Sequence, residues 1–421
     1  VKIRTLACLT ALATGMALSG CSGGSDDSGG DDGGQRTLDV WLMRDSVSQE
    51  FQEEFTTAFE DAHPDISLEI QIQQWNGIGE RVTAALASGD APDVIEVGNT
   101  QVAQYAASGG LLDLSDRVAA LGGEDWLPGL AEPGVYEGAQ YGIPYYAANR
   151  VVIYRTDLFE AAGIDPATLT TREAWLEATE ALNGPEGQQG IYLPGQNWYV
   201  LSGFIWDEGG DLAVEQDGAW EGTLDTPEAL AGMDFYRQLQ AHGDGPRDSD
   251  EAEPPQVEVF ASQEVAQIIA VPGGAGLAVE RNPELEGRLG FFPVPGVTAD
   301  TPGSVFTGGS DLVIPAAAAN QEDAHTFIEE LTGEEWQTRL AEAMSYVPNK
   351  TTLAAAAADD PGTAAMAAGA ANGRATPNTP AWAAVEAENP IKDYMTAVLT
   401  GRDPEEAARE ASEVITRALN P

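Results

Sequence analysis

Lysine is almost absent from this chain. Lys2, Lys350 and Lys392 are the three in 421 residues, and Lys+Arg total 20 against 68 Asp+Glu, a formal net charge of −48. A surface of that sign repels nucleic acid and anionic lipid, so no polyanion partner is expected. The acidic residues are spread along the chain, which reads as a heavily solvated surface rather than a cleft for cations. Cysteine is scarce too: Cys8 lies inside the first apolar run and Cys21 ends it. A mature chain beginning at Cys21 keeps one cysteine and can form no internal disulfide. The three histidines, His63, His242 and His325, are far apart and lack metal-ligand spacing. No zinc site is expected from them, and no cofactor. No GxxxxGKS or GxxxxGKT run occurs, so an ATPase acting with this protein must be a separate chain. Repeats of solenoid period are missing as well.

What is present begins with an address. Lys2 and Arg4 precede the apolar stretch 5–18, which closes on Leu18-Ser19-Gly20-Cys21. A charged start, a short apolar core and small residues before a cut describe a secretory leader over 1–20. The apolar part is too short for a spanning helix. The LSGC tetrad resembles the bacterial lipobox, which implies that Cys21 is lipidated and becomes the first mature residue. Two acyl chains on a diacylglycerol suffice for stable anchoring. Residues 22–34 are only Ser, Gly and Asp, so 21–35 reads as a flexible tether of roughly 20 Å. Its aspartates, Asp26, Asp27, Asp31 and Asp32, lack the spacing of an EF-hand.

Beyond the tether the pattern alternates strand and helix. Residues 38–43 form a short apolar strand. Ser46 is placed to cap a helix whose Val47, Phe51, Phe55, Ala58 and Phe59 share one face. Pro64 ends it. Leu68, Ile70 and Ile72 then alternate as a strand that stops near Trp75. A helix over 81–87 and a strand over 92–97 follow. Such α/β order places ligands at the carboxyl ends of the strands. Gly98-Asn99-Thr100-Gln101 leaves a strand and opens a helix, which sets Asn99 and Thr100 where a ligand would sit. A turn or capping role is the alternative for Asn99. Further on, Trp198, Tyr199, Phe204 and Trp206 cluster. Phe204 and Trp206 read as core, while Trp198 follows Asn197 where a loop opens a helix.

Three stretches carry a family resemblance: ALASGDAPDVIEVGNTQVAQYAASGGLLDLSD at 85–116, YGIPYYAANRVVIYRTDLFEAAG at 141–163 and FTGGSDLVIP at 306–315. The chain resembles bacterial extracellular solute-binding proteins over nearly all of its mature length. That resemblance implies an α/β, two-lobed, periplasmic-binding-protein-like type II fold with a ligand cleft between the lobes. Lobe one would take 36–147 and 311–347, lobe two 148–310 and 348–421. The chain would cross between them at 145–149, 308–311 and 347–350. The resemblance also implies ligand contacts from Tyr145 and Tyr146 of GIPYY, from Asn197 and Trp198, and from Gly309 and Ser310 on the return crossing. Gly273 and Gly274 stand where many relatives carry a tryptophan, so one stacking ring is missing. In some sugar-binding relatives an arginine at the place of Arg374 meets the ligand. Asp45, Ser46, Trp75, Asn99 and Thr100 complete the candidate set.

The activity implied is that of a monomeric, non-enzymatic lipoprotein on the extracellular face of the cytoplasmic membrane. It would capture a di- or oligosaccharide and deliver it to the permease of an ABC importer. Two alternatives stay open. A lipid-anchored glycoside hydrolase needs two carboxyl groups about 5–10 Å apart, and 68 acidic residues satisfy any sequence rule for such a pair. A polyamine binder would need a cluster of acids in the cleft, where only Asp45 and Asp311 come near.

Overall fold

Leu38, Val40 and Leu42 alternate with Asp39 and Trp41, and that period of two makes Arg36–Met43 a strand with one wholly buried face. The computed structural model describes residues 35–421 apart from Asp45, Asn76, Asp90, 185–186 and 354–359. The leader, the tether with Cys21, and Asp45 lie outside the described residues. Arg36–Met43 pairs in parallel with Ile66–Gln73 and with Val94–Gly98. The helices Gln49–Ala62 and Ile78–Leu86 make the crossovers, so the three strands end on the same side. Pairing extends this sheet to six strands, in the order Val347–Pro348, Ile143–Ala148, Gly308–Val313, Val94–Gly98, Arg36–Met43, Ile66–Gln73.

The first helix starts later than its apolar pattern predicts. Its N-cap is Ser48, whose Oγ accepts from Phe51 N at 3.1 Å. Ser46 does not cap it; that side chain turns into the protein. Phe51, Phe55 and Phe59 then recur at i, i+4 and pack against the helices Gln321–Leu331 and Glu334–Met344. Phe55 meets Phe327 and Trp336 edge-on at 5.4 and 4.9 Å between centroids, a favoured aromatic geometry. This is the core of the first lobe.

The second lobe has its own sheet and its own core. Val151–Arg155 is the central strand, flanked antiparallel by Gln267–Ala270 and Leu289–Phe292. Trp175, Phe204, Phe235 and Phe292 interlock beside it, and the helices Trp198–Asp207, Pro227–Gln240 and Pro404–Leu419 close over them. Two elements here were not foreseen. The helix Gln256–Ser262 follows the acidic loop. The hairpin of Ala213–Gln216 and Ala219–Gly222 turns on Asp217-Gly218, both at positive φ, as a tight two-residue turn requires.

Two sheets with separate cores make a two-lobed α/β protein. Ile143–Ala148, Gly308–Val313 and Val347–Pro348 are neighbours at one side of the first sheet, and the first of them runs on into the central strand of the second lobe. Gly309 is required there. It sits at φ 149, and a Cβ would lie 2.2 Å from Tyr146 O on the adjacent strand.

Candidate functional site

The carboxyl ends of the three parallel strands converge. Trp75, just past Ile66–Gln73, is 44% exposed and donates its indole N–H to Arg44 O at 3.1 Å. Gly98, at the end of Val94–Gly98, lies under that ring: a Cβ there would be 3.8 Å from it. Asn99 and Thr100 follow in a short helical turn. Asn99 Nδ2 donates to Thr307 O at 3.0 Å, beside the return crossing. Thr100 Oγ1 donates to Glu386 Oε2 at 3.1 Å, on the helix Trp382–Glu388. Trp382 and Val385 of that helix belong to the second core, so this bond joins the two lobes.

Aromatic rings back the second lobe's side. Trp198 and Tyr199 lie 4.1 Å apart between centroids, and Tyr199 meets Phe306 at 4.5 Å. The guanidinium of Arg150 lies 4.6 Å from the Tyr199 ring and pairs with Glu251 at 2.6 Å, so the cation is held over a π-face. Arg150, Tyr199 and Phe306 line one narrow crevice. Burial pushes the Tyr199 phenol up, with the negative charge of Glu386 acting the same way. Glu386 is itself pushed up by burial, against the hydrogen bonds it accepts from Trp382 Nε1 and Thr100. The bond from Thr100 to Glu386 thus spans the lobes, with Tyr199 and Arg150 paired near enough for the Glu386 charge to act on the phenol.

The remaining candidates divide. Ser46, Tyr146 and Ser310 are buried behind the strand ends, where Tyr146 OH and Ser46 Oγ both meet Glu96. Tyr146 also stacks on Tyr346 at 4.1 Å. Tyr145 is sealed in the first core with its hydroxyl unpartnered among the described residues. Asn197 is fully buried and neither atom of its amide has a hydrogen-bond partner among the described residues, and Asn149 is in the same condition. Trp198 is 4% exposed and belongs to the second core. Gly273 approaches Met344 O, whereas Gly274 packs on Val257, Ala270 and Ile153 and presents no open face. The guanidinium of Arg374 is turned to Asp211 and lies over Trp206, so its backbone alone joins the site, through Thr307 N donating to Arg374 O. Asp311 is fully buried rather than at the cleft surface. Sequence reasoning missed Arg150, Glu251, Thr307 and Glu386. Arg150 directly follows the GIPYYAAN stretch, a usable signal; Glu386 sits in an unremarkable acidic helix and gave none.

A cleft between two α/β lobes, walled by rings, amides and one bridging carboxyl, defines a solute-binding protein. The chain belongs to the bacterial extracellular solute-binding protein family, whose sequence model matches residues 44–338. The diacetylchitobiose binding protein DasA of Streptomyces coelicolor is 36% identical over 409 residues, 96% of each chain. The mannitol-binding protein of Pseudomonas aeruginosa is 26% identical over 329 residues, 76% of this chain and 74% of that one. Among solved structures, the sugar-binding protein MalE of Xanthomonas citri superposes with a TM-score of 0.79 at 22% identity, over 91% of this chain and 97% of that one. A solute-binding protein of Thermotoga lettingae bound with alpha-D-tagatose gives 0.78 at 23%, over 91% and 100%. These two structures speak to the fold.

Proposed function

We propose that this protein captures an N-acetylated disaccharide between its lobes and hands it to the permease of an ABC importer. Similarity to DasA along the whole chain supports the choice of sugar. The observation that carries the site is the bond from Thr100 to Glu386, which brings the strand ends of one lobe against the aromatic wall of the other. A sugar has flat apolar C–H faces and a rim of hydroxyls, and it needs rings beside directed polar groups. Trp75 is the exposed ring platform, while Tyr199, packed on Trp198 and Phe306, carries the Arg150 guanidinium over its face. Asn99, Thr100, Glu386 and Arg150 meet hydroxyls. The unpartnered amides of Asn149 and Asn197 suit an acetamido group. Ser46, Tyr146, Gly309 and Ser310 hold these groups from behind. The three neighbouring crossing strands act as the hinge by which the lobes close. The protein works as a monomer, anchored through a lipid on Cys21.

It binds without turnover. Glu251 is ion-paired to Arg150, Asp211 to Arg374, and Glu386 is occupied by two donors, so these three carboxyls of the described site are engaged rather than poised as an acid and base pair. Thermal-shift and calorimetric titration with N,N′-diacetylchitobiose, maltose, lactose and mannitol tests the proposal. At 100 times its dissociation constant the preferred ligand adds about 2.7 kcal/mol of stability. N,N′-diacetylchitobiose should lead that series and be recovered intact. No shift with it would remove the sugar assignment, and cleavage products would move the protein to the hydrolases.

A further inference from the structure

Among the buried carboxyls that the ligand contacts leave unused is Glu96, which has several partners. Glu96 lies in the middle of Val94–Gly98 and is wholly buried. Its Oε2 accepts from Met43 N at 2.8 Å and lies 2.7 Å from Ser46 Oγ, while its Oε1 accepts from Tyr146 OH at 3.1 Å. Ser310 Oγ in turn donates to Tyr146 OH at 3.3 Å. The partners come from the end of the first strand, the turn after it and both long crossing strands. One side chain thus ties together the root of the cleft.

The residues it holds flank the anchor of an exposed ring. Ser46 N and Ser46 Oγ both donate to Met43 O, at 3.2 and 2.7 Å, which holds Ser46 against the end of the first strand. Arg44, which follows Met43, donates its N–H to Gln73 O at 2.8 Å and its Nε–H to Gln74 Oε1 at 2.8 Å. Its carbonyl accepts the indole N–H of Trp75. The one polar atom of Trp75 is therefore fixed by Arg44, whose neighbour Met43 rests on Glu96.

We propose that Glu96 is a positioning residue for ligand capture, clamping Met43 and Ser46 so that Arg44 O sets the orientation of the Trp75 ring. The inference rests on the assignment of Trp75 to the sugar-facing wall. A proton count refines it. Ser46 Oγ has one proton and sits 2.7 Å from both Met43 O and Glu96 Oε2. Met43 O can only accept, so that one proton is shared between Met43 O and the carboxyl. Burial pushes the Glu96 carboxyl up, against the hydrogen bonds from Met43 N, Ser46 and Tyr146. Among the described residues, the titratable groups facing it are the phenols of Tyr145 and Tyr146. An amide of the same shape keeps one acceptor for Met43 N and Ser46 and turns a donor to Tyr146 OH, whose own proton can pass to Ser310 Oγ.

The test uses protein labelled with 5-fluorotryptophan, in which Trp75→Phe identifies one fluorine resonance among those of nine tryptophans. Glu96→Ala should move the Trp75 resonance without ligand and leave those of Trp175 and Trp382 in place. It should weaken N,N′-diacetylchitobiose about tenfold, against about thirtyfold for Trp75→Ala. Glu96→Gln should restore both readouts. In a Trp75→Ala background, Glu96→Ala should change affinity less than about twofold, because the two act through one contact. Ser46→Ala serves as the second variant should Glu96→Ala fail to fold, with a smaller change in the same direction. A lower melting temperature with resonance and affinity unmoved would overturn the proposal, as would additive losses in the double variant. A wild type that binds no sugar would remove Trp75 from the sugar wall, and the resonance would still decide whether Glu96 orients it.

Discussion

Asp311 offers a sharp physical test of the first lobe. It lies on the return strand Gly308–Val313, is fully buried, and neither carboxyl oxygen has a hydrogen-bond partner among the described residues. Alternation along the strand puts it on the same face as Val313, which packs with Ile95 and Val97. Its ladder partners are Val97 and Pro144, and Pro144 has no N–H to give. A Cβ on Gly142 would lie 2.9 Å from Asp311 Oδ2, so the carboxyl is closely confined on that side. An unpaired buried carboxylate costs several kcal/mol. Burial accordingly pushes this carboxyl well above its usual range.

The direction of the pH effect follows. A pKa raised in the folded state means that folding favours the protonated form. The contribution is complete below the unfolded value of about 3.9 and is lost as pH rises toward the folded one. Over that window stability falls by about 1.4 kcal/mol per pH unit, or about 2.7 kcal/mol over two units. Asp311→Asn keeps the shape and removes the titration. At pH 4 both side chains are neutral and unpaired, so the two proteins should agree within about 1 kcal/mol. Above that the variant should gain progressively, and the gain should persist in high salt because the group is shielded from it. Unfolding of both proteins at intervals from pH 4 to 8 isolates the effect, since the other acids titrate in each. Parallel stability curves, or a variant less stable at pH 7, would refute the reasoning.

Two further outcomes are expected. Trp198→Ala should cost about 3–5 kcal/mol of stability as a large core truncation, whereas Trp75→Ala should leave the melting temperature nearly unchanged and lose affinity; the reverse assignment by differential scanning calorimetry would exchange their roles. Cys21→Ala should abolish incorporation of labelled fatty acid, and continued labelling would show that the anchor lies elsewhere.

How much of this was legible in the sequence depends on the reach of the interaction. The strands at the start of the first lobe carry an alternation that survives in any local window, and Gly98-Asn99-Thr100 was placed correctly at a strand end. Local patterns blur at boundaries: Ser46 and Ser48 are equally good caps by type, and Glu96 draws Ser46 inward. The Asp217-Gly218 turn was legible in principle, because two consecutive positive-φ residues favour such a pair. Trp198 and Tyr199 show the opposite case. Adjacent aromatics at the start of a helix have the same local claim on a ligand, and only the three-dimensional packing shows Trp198 inside the second core and Tyr199 against its edge.

The polar groups that matter most were the least visible, for a physical reason. Glu96 and Asp311 are two among 68 acidic residues, and nothing in their own neighbourhoods distinguishes them from solvated ones. Their significance comes from partners 50 or more positions away in Glu96's case, and from the lack of any in Asp311's. The two sit on neighbouring, directly paired strands at the junction of the lobes, with Ser310 opposite Gly98 and Asp311 opposite Val97. A fully satisfied acid beside the ligand wall and an unsatisfied one beside the hinge have opposite consequences. The first fixes geometry by spreading one carboxyl over several segments. The second makes the adjoining strand less stable than its packing allows, in the segment proposed as the hinge. If that placement matters for closure, Asp311→Asn should slow or narrow the ligand-linked change in small-angle scattering while raising stability. A variant that is more stable and closes as the wild type does would confine Asp311 to a purely energetic role.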